Sequence, residues 1–318
     1  MDEPNTQVTK TETTDDVQAT KTETTDDIFL AEQTAVKETP KKANPFVQII
    51  KGLAYFLFFL AAQIIATFIV MIGFGIKKAY EYAAMGMQPA DAAREVAAYM
   101  ESQTLSNTNL ILFINAALLV LPLMIIFAIR RKNFFVETRI QKFSPKLLPV
   151  LFLILVGLVL FVNSVLNLLP ASWMASYATD SSFINEGSLV ASLIAQALCA
   201  PLTEELTFRG LMLSRFNKGL PVWVGITISS LLFGLIHGNF IWFIYAALLG
   251  ATFCLIAIRT GSIIPTIMIH ALFNAFGTGL SYARIGFNIP IFIVCALVGF
   301  GILSLSLFWF FEATKKTA

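Results

Sequence analysis

Eight apolar runs fill this chain beyond residue 51, at 52–76, 109–129, 147–169, 188–208, 221–237, 240–258, 263–280 and 289–311. A helix rises ~1.5 Å per residue and needs roughly 20 residues to cross the hydrocarbon of a bilayer, which is the scale of each run. The fold class that follows is all-α: a polytopic membrane protein of about eight transmembrane helices. Composition agrees, because 57% hydrophobic and 13% charged residues with a mean hydropathy of +0.74 are far too apolar for a soluble domain of 318 residues. Start signals sit at the run ends: Ser262 before Ile263-Ile264-Pro265, Asn288 before Ile289-Pro290, and Pro221 after the Gly219-Leu220 break. A net charge of +2 gives no footprint for nucleic acid.

Lysine and arginine in short loops set the expected orientation. Arg130, Arg131, Lys132, Arg139, Lys142 and Lys146 form the densest basic cluster and are expected in the cytoplasm. Counting both ways places the amino terminus with Lys41, Lys42 and Lys51 inside, along with Arg215, Lys218, Arg259, Lys315 and Lys316. The lysine- and arginine-free loop 170–187 falls outside, and Lys77, Lys78, Arg94 and Arg284 are the exceptions there. The expectation is a multi-pass protein of the cell membrane with both termini cytoplasmic.

Three divisions are expected: a tail at 1–44, a transmembrane domain at 45–312 with its motif core at 188–280, and a short basic tail at 313–318. The first is rich in Thr, Asp, Glu and Lys, with ten acidic against five basic residues and a tandem repeat in which Thr9 to Asp16 returns as Thr20 to Asp27. Such a segment has too little to bury to offset its ordering entropy, so it reads as disordered. The long outer loop from Lys77 to Asn107 reads as partly amphipathic helix around 90–100. Cys199, Cys254 and Cys295 lie in spans without a pairing or metal spacing, and read as small apolar residues.

One stretch breaks the apolar pattern: Pro201-Leu202-Thr203-Glu204-Glu205-Leu206-Thr207-Phe208-Arg209. Each ionisable group in a membrane segment costs about 2.5 to 3.5 kcal/mol or more, so three of them need a reason. Glu205 and Arg209 stand at i and i+4, the order in which a carboxylate and a guanidinium meet on a helix. Glu204 is turned ~100° away and has no partner nearby in sequence. The plainer reading is a helix end whose charges meet headgroups and water. The histidines weigh against it: there are two, His237 and His270, and both are expected in apolar helices. His270 has Asn274 one turn on, on its own face. Glu204 and His237 are nearly equidistant from the turn at 217–221, so in antiparallel neighbours they reach similar heights. Pro201 removes a backbone donor and can bend its helix, freeing a carbonyl.

A carboxylate, two imidazoles and an amide are the parts for amide hydrolysis. Glu204 with His237 suits activation of water, and His270 with Asn274 suits the developing oxyanion. Glu204, His237 and His270 could instead hold a zinc whose bound water attacks. There is no His-Glu-x-x-His, Gly-x-Gly-Asp or Gly-x-Ser-x-Gly for other intramembrane protease chemistries. A proton-coupled transporter is the non-enzyme rival, and it would show repeated halves with interrupted helices, which the sequence lacks.

At Glu204 through Arg209, Phe233 through His237 and His270 through Asn274, the sequence resembles the type II CAAX prenyl endopeptidase and bacteriocin-processing (CPBP) family of intramembrane proteases, also called the abortive-infection (ABI) family. The three motifs stand in the family's order. The resemblance implies an endopeptidase acting on a membrane-associated or lipidated protein or peptide, with Glu204 and His237 activating water and His270 and Asn274 stabilising the oxyanion. It further implies that Glu205, Arg209, Phe208 and Phe233 support the site. Members are often called metalloproteases, so a zinc cofactor and a metal-free mechanism both stay open. A non-catalytic scaffold or bacteriocin-immunity protein is the alternative within the same family.

Overall fold

Asparagine and serine side chains open several of the long helices, because the first N–H groups of a helix have no partner inside it. Asn44 Oδ1 accepts from Val47 N at 3.3 Å, Ser188 Oγ from Ala191 N at 3.1 Å, Asn239 Oδ1 from Ile241 N at 3.0 Å and Asn288 Oδ1 from Ile291 N at 3.2 Å. The computed structural model describes residues 43–184, 188–283 and 288–315. The acidic repeat, Arg284 and Lys316 lie outside these.

Ten helices of fourteen residues or more occur among the described residues, and no strand does. They are α1 (Pro45–Ala84), α2 (Pro89–Ser106), α3 (Thr108–Ile129), α4 (Leu148–Leu168) and α5 (Ala171–Ile184). There follow α6 (Leu189–Gly219), α7 (Val222–Leu235), α8 (Phe240–Thr260), α9 (Ile264–Ala283) and α10 (Ile289–Ala313). Each of the eight expected spans therefore has its helix.

Six of them, α1, α3, α4, α6, α8 and α10, are long and apolar enough to cross a membrane. The protein is a multi-pass, all-α membrane protein, and six is the number of crossings that length and composition support. α7 has 14 residues, about 21 Å at the helical rise, which is shorter than the hydrocarbon. α9 has 20 residues, but His270, Asn274, Thr278 and Tyr282 recur along it every fourth position and lower its hydropathy. α2 contains the expected amphipathic helix at 90–100, while α5 lies in a segment the sequence leaves as a loop.

Two apolar clusters flank the polar stretch of α6. One gathers Phe56 and Phe59 from α1, Leu119 and Leu123 from α3, Phe208, Leu211, Met212 and Phe216 from α6, and Phe233 from α7. The other joins Ile154 and Leu158 of α4, Phe253 and Ile256 of α8, Ile269 and Phe273 of α9, and Phe310 of α10. α4 and α10 meet through glycine: a Cβ on Gly157 would lie 2.7 Å from Leu303 N, and one on Gly299 would lie 2.6 Å from Phe161 N. Helices in lipid gain little from apolar burial against each other, so close backbone approach of this kind supplies much of their cohesion. The outward faces of α1 and α10 carry exposed Leu57, Ile65, Phe68, Leu297, Phe300, Leu305 and Phe308, a surface suited to acyl chains.

Candidate active site

α6 changes helical register twice, and its carboxylates lie between the changes. Leu193–Cys199 and Leu206–Met212 are π-helical, and the turn Ala200–Glu205 between them is α-helical. Pro201 supplies a local cause, since proline has no N–H for the hydrogen-bond ladder. Just before it, Ala200 N–H reaches back five residues to Ala195 O. Each π turn holds an extra residue and so re-aims the side chains that follow, a device common at functional sites.

Glu205 and Arg209 are both fully buried, and Arg209 Nη1 donates to Glu205 Oε1 at 2.9 Å, the pairing expected from their i, i+4 spacing. The guanidinium also donates through Nη2 to Gly250 O at 3.2 Å. Its carbon stands 4.2 Å from the Phe233 ring centroid and 5.3 Å from that of Phe253, so π faces replace part of its hydration. Gly250 eases this approach, because a Cβ there would lie 3.3 Å from Nη2 and 3.2 Å from Phe233, a tight fit that would press on both.

The same Glu205 oxygen meets His270 Nδ1 at 2.9 Å. An ionised carboxylate only accepts, so Nδ1 carries the proton of this bond and Nε2 is the nitrogen turned toward Glu204. Glu204 Oε2 lies 3.7 Å from His270 Nε2 and has no hydrogen-bond partner among the described residues. The Glu204 side chain keeps 13% of its exposure where Glu205 keeps none. One carboxylate is thus locked in structure while the other stays open to a reactant.

Phe233 packs edge-on to Phe208, His237 and His270, with centroids 5.2, 5.1 and 5.8 Å away. His237 lies beyond the end of α7 rather than within it, in a turn closed by Gly238 at φ +72. Its Nδ1 is 2.8 Å from Phe233 O. A carbonyl only accepts, so Nδ1 donates there, capping a terminal carbonyl of α7 and leaving the Nε2 lone pair unused by that bond. The ion-pair contact of Glu204 is with His270, whereas the sequence pairs Glu204 with His237. Asn274 sits one turn beyond His270 and donates through Nδ2 to Gln196 O at 2.8 Å.

As metal donors, Glu204 and His270 make a neighbouring pair, but no group of three or more His, Cys, Asp or Glu among the described residues could hold a metal ion. The expected zinc set of Glu204, His237 and His270 is not gathered into such a group here. Sequence reasoning missed Gln196, Gly250, Phe253 and Thr278. A signal existed for two of them, since Gln196 interrupts an apolar run and Thr278 continues the four-residue spacing of His270 and Asn274. Gly250 and Phe253 gave none. Cys199, Cys254 and Cys295 are free thiols, and Cys254 is buried against Ser229 and Ser230.

No curated protein and no solved structure matches this chain. Residues 185–276, which contain all three motifs, match the family model for the Rce1-like type II CAAX prenyl endopeptidases. Over that segment the chain is similar to the Rce1-like type II CAAX prenyl endopeptidases, a family of proteases.

Proposed function

We propose that this protein is an intramembrane endopeptidase in which Glu204 activates water against a peptide bond. The observation that carries the reading is the division of labour between adjacent carboxylates: Glu205 is engaged by Arg209 and His270, while Glu204 faces His270 Nε2 at 3.7 Å without a hydrogen-bond partner among the described residues. In the proposed reaction Glu204 takes a proton from water as the oxygen attacks the carbonyl carbon. The Asn274 amide, and His270 when it carries a proton on Nε2, donate to the oxyanion that forms. The C–N bond then breaks, and the proton held by Glu204 passes to the leaving amine. His237, with Nδ1 committed to Phe233 O, offers its Nε2 lone pair to orient the water.

The substrate class follows from a polar site set among apolar helices. A scissile bond has to be delivered to Glu204 by a segment that is itself at home in lipid, which points to a membrane-associated or lipidated protein or peptide. CAAX-type processing agrees with the family match, and bacteriocin-type processing is the variant the motifs also allow. The basic loops support a cell-membrane protein with both termini in the cytoplasm.

The test uses the purified full chain in liposomes, incubated with a prenylated carboxy-terminal peptide, a bacteriocin-precursor peptide and an unlipidated control. Cleavage of a membrane-bound peptide that Glu204→Gln abolishes supports the proposal. Absence of cleavage across the panel, or equal cleavage by the variant, overturns it.

A further inference from the structure

Pro201 does more than mark a change of register. A proline at 201 in α-helical register would strand the carbonyl four residues back, at Ala197. In the π register established here, where Ala200 N–H bonds Ala195 O, the next bond in sequence would run from residue 201 to the carbonyl of Gln196. Proline cannot make it. That same carbonyl is the one that accepts from Asn274 Nδ2, at 2.8 Å.

We infer that Pro201 is a positioning residue for the Asn274 amide, because it withholds the backbone N–H that would otherwise compete for Gln196 O. A carbonyl can only accept, so the bond settles which end of the Asn274 amide points at α6. Nδ2 bears two hydrogens; one is spent on Gln196, and the second is left for an oxyanion. A second tie holds the register one turn further on, where Thr278 Oγ1 donates to Gln196 Oε1 at 3.1 Å. A third lies another turn along, between Ser192 Oγ and Tyr282 Oη at 3.0 Å. His270, Asn274, Thr278 and Tyr282 form one stripe of α9, and Glu204, Gln196 and Ser192 meet it from α6. The broken helix and α9 are thereby fixed against each other at the level where the reaction is proposed.

The inference rests on the proposed role of Asn274, and Pro201→Ala tests it. Proline inside a helix is ordinarily a defect, so the alanine variant in nanodiscs is expected to melt no lower than the parent. Turnover is nevertheless expected to fall about tenfold in kcat with KM changed by less than about twofold, since the restored N–H draws Gln196 O away from Asn274. The same substitution in an Asn274→Ala background is expected to cost nothing more. Chain labelled with 15N-asparagine provides a readout independent of activity: the Asn274 side-chain amide signal, identified by its loss in Asn274→Asp, should move in Pro201→Ala.

An unchanged amide signal, or an unchanged kcat in a chain where Asn274→Ala is slow, overturns the inference. If Asn274→Ala cleaves as fast as the parent, the oxyanion role falls, and the amide signal alone decides whether Pro201 anchors Asn274. Thr278→Val, which keeps the shape and removes the second tie, should lower kcat in the same direction.

Discussion

Glu205 and His270 are joined through Oε1 and Nδ1 at 2.9 Å, and this bond decides which face of the imidazole meets Glu204. The sequence presents Glu205 as the counter-charge of Arg209. In the fold it is also the group that orients a histidine 65 positions away. A buried ion pair is weak evidence for stability, because desolvation offsets most of the Coulombic gain. Here the pair has a second use, as a rigid mount for His270.

Glu204→Gln keeps the volume of the side chain and removes its basicity. Cleavage of a lipidated peptide in liposomes is expected to drop by about 10² to 10⁴-fold, the usual worth of a general base, with the melting temperature unchanged. Rapid cleavage by this variant would remove Glu204 from the proposed chemistry.

Glu205→Gln leaves the Arg209 guanidinium buried with Gly250 O and aromatic faces but no counter-charge. The expected loss of stability is about 3 to 5 kcal/mol, measured by thermal or denaturant unfolding in micelles. Glu205→Leu combined with Arg209→Met should recover part of that stability and none of the turnover, because the His270 Nδ1–H then has no acceptor at this position. Full recovery of turnover in the double variant would show that Glu205 serves Arg209 alone.

Gly157→Ala and Gly299→Ala place a methyl group where α4 and α10 approach backbone to backbone. Each is expected to lower stability by about 1 to 3 kcal/mol through overpacking, while turnover per folded molecule stays at the parent value. Unfolding curves together with active-site-normalised rates check both halves of this expectation. A variant of normal stability would show that the two helices separate at little cost.

The metal question is answered by composition and chelation together. Because Glu204 and His270 lack a third donor able to complete a site among the described residues, activity is expected to survive exhaustive chelation, and active protein is expected to carry much less than one zinc per chain. Stoichiometric zinc by mass spectrometry, lost and regained in step with activity, would require a different arrangement of His237.

The class of fold was legible in the sequence because it depends on local quantities. Run length against bilayer thickness, and the satisfaction of backbone groups in lipid, locate a helix at every one of the eight apolar runs without knowledge of how they pack. Caps at Ser262 and Asn288 were readable for the same reason: Ser262 Oγ accepts from Ile264 N at 3.1 Å and Asn288 Oδ1 from Ile291 N at 3.2 Å. The Glu205–Arg209 pair was legible too, being a contact within one helix at fixed spacing.

What lay beyond the sequence involves residues brought together by tertiary packing. That Glu204 faces His270, with His237 turned to cap α7, depends on how α6, α7 and α9 are rotated about their axes. Two π turns in α6 set its rotation, and helical periodicity assumes a constant number of residues per turn. Gly250 and Phe253 entered the cluster because α8 lies across Arg209, a fact that no spacing within α8 reports. Pro201 stood in plain view as a residue that frees a carbonyl. Which carbonyl, and that Asn274 occupies it, was decided only when α9 packed against the π turn.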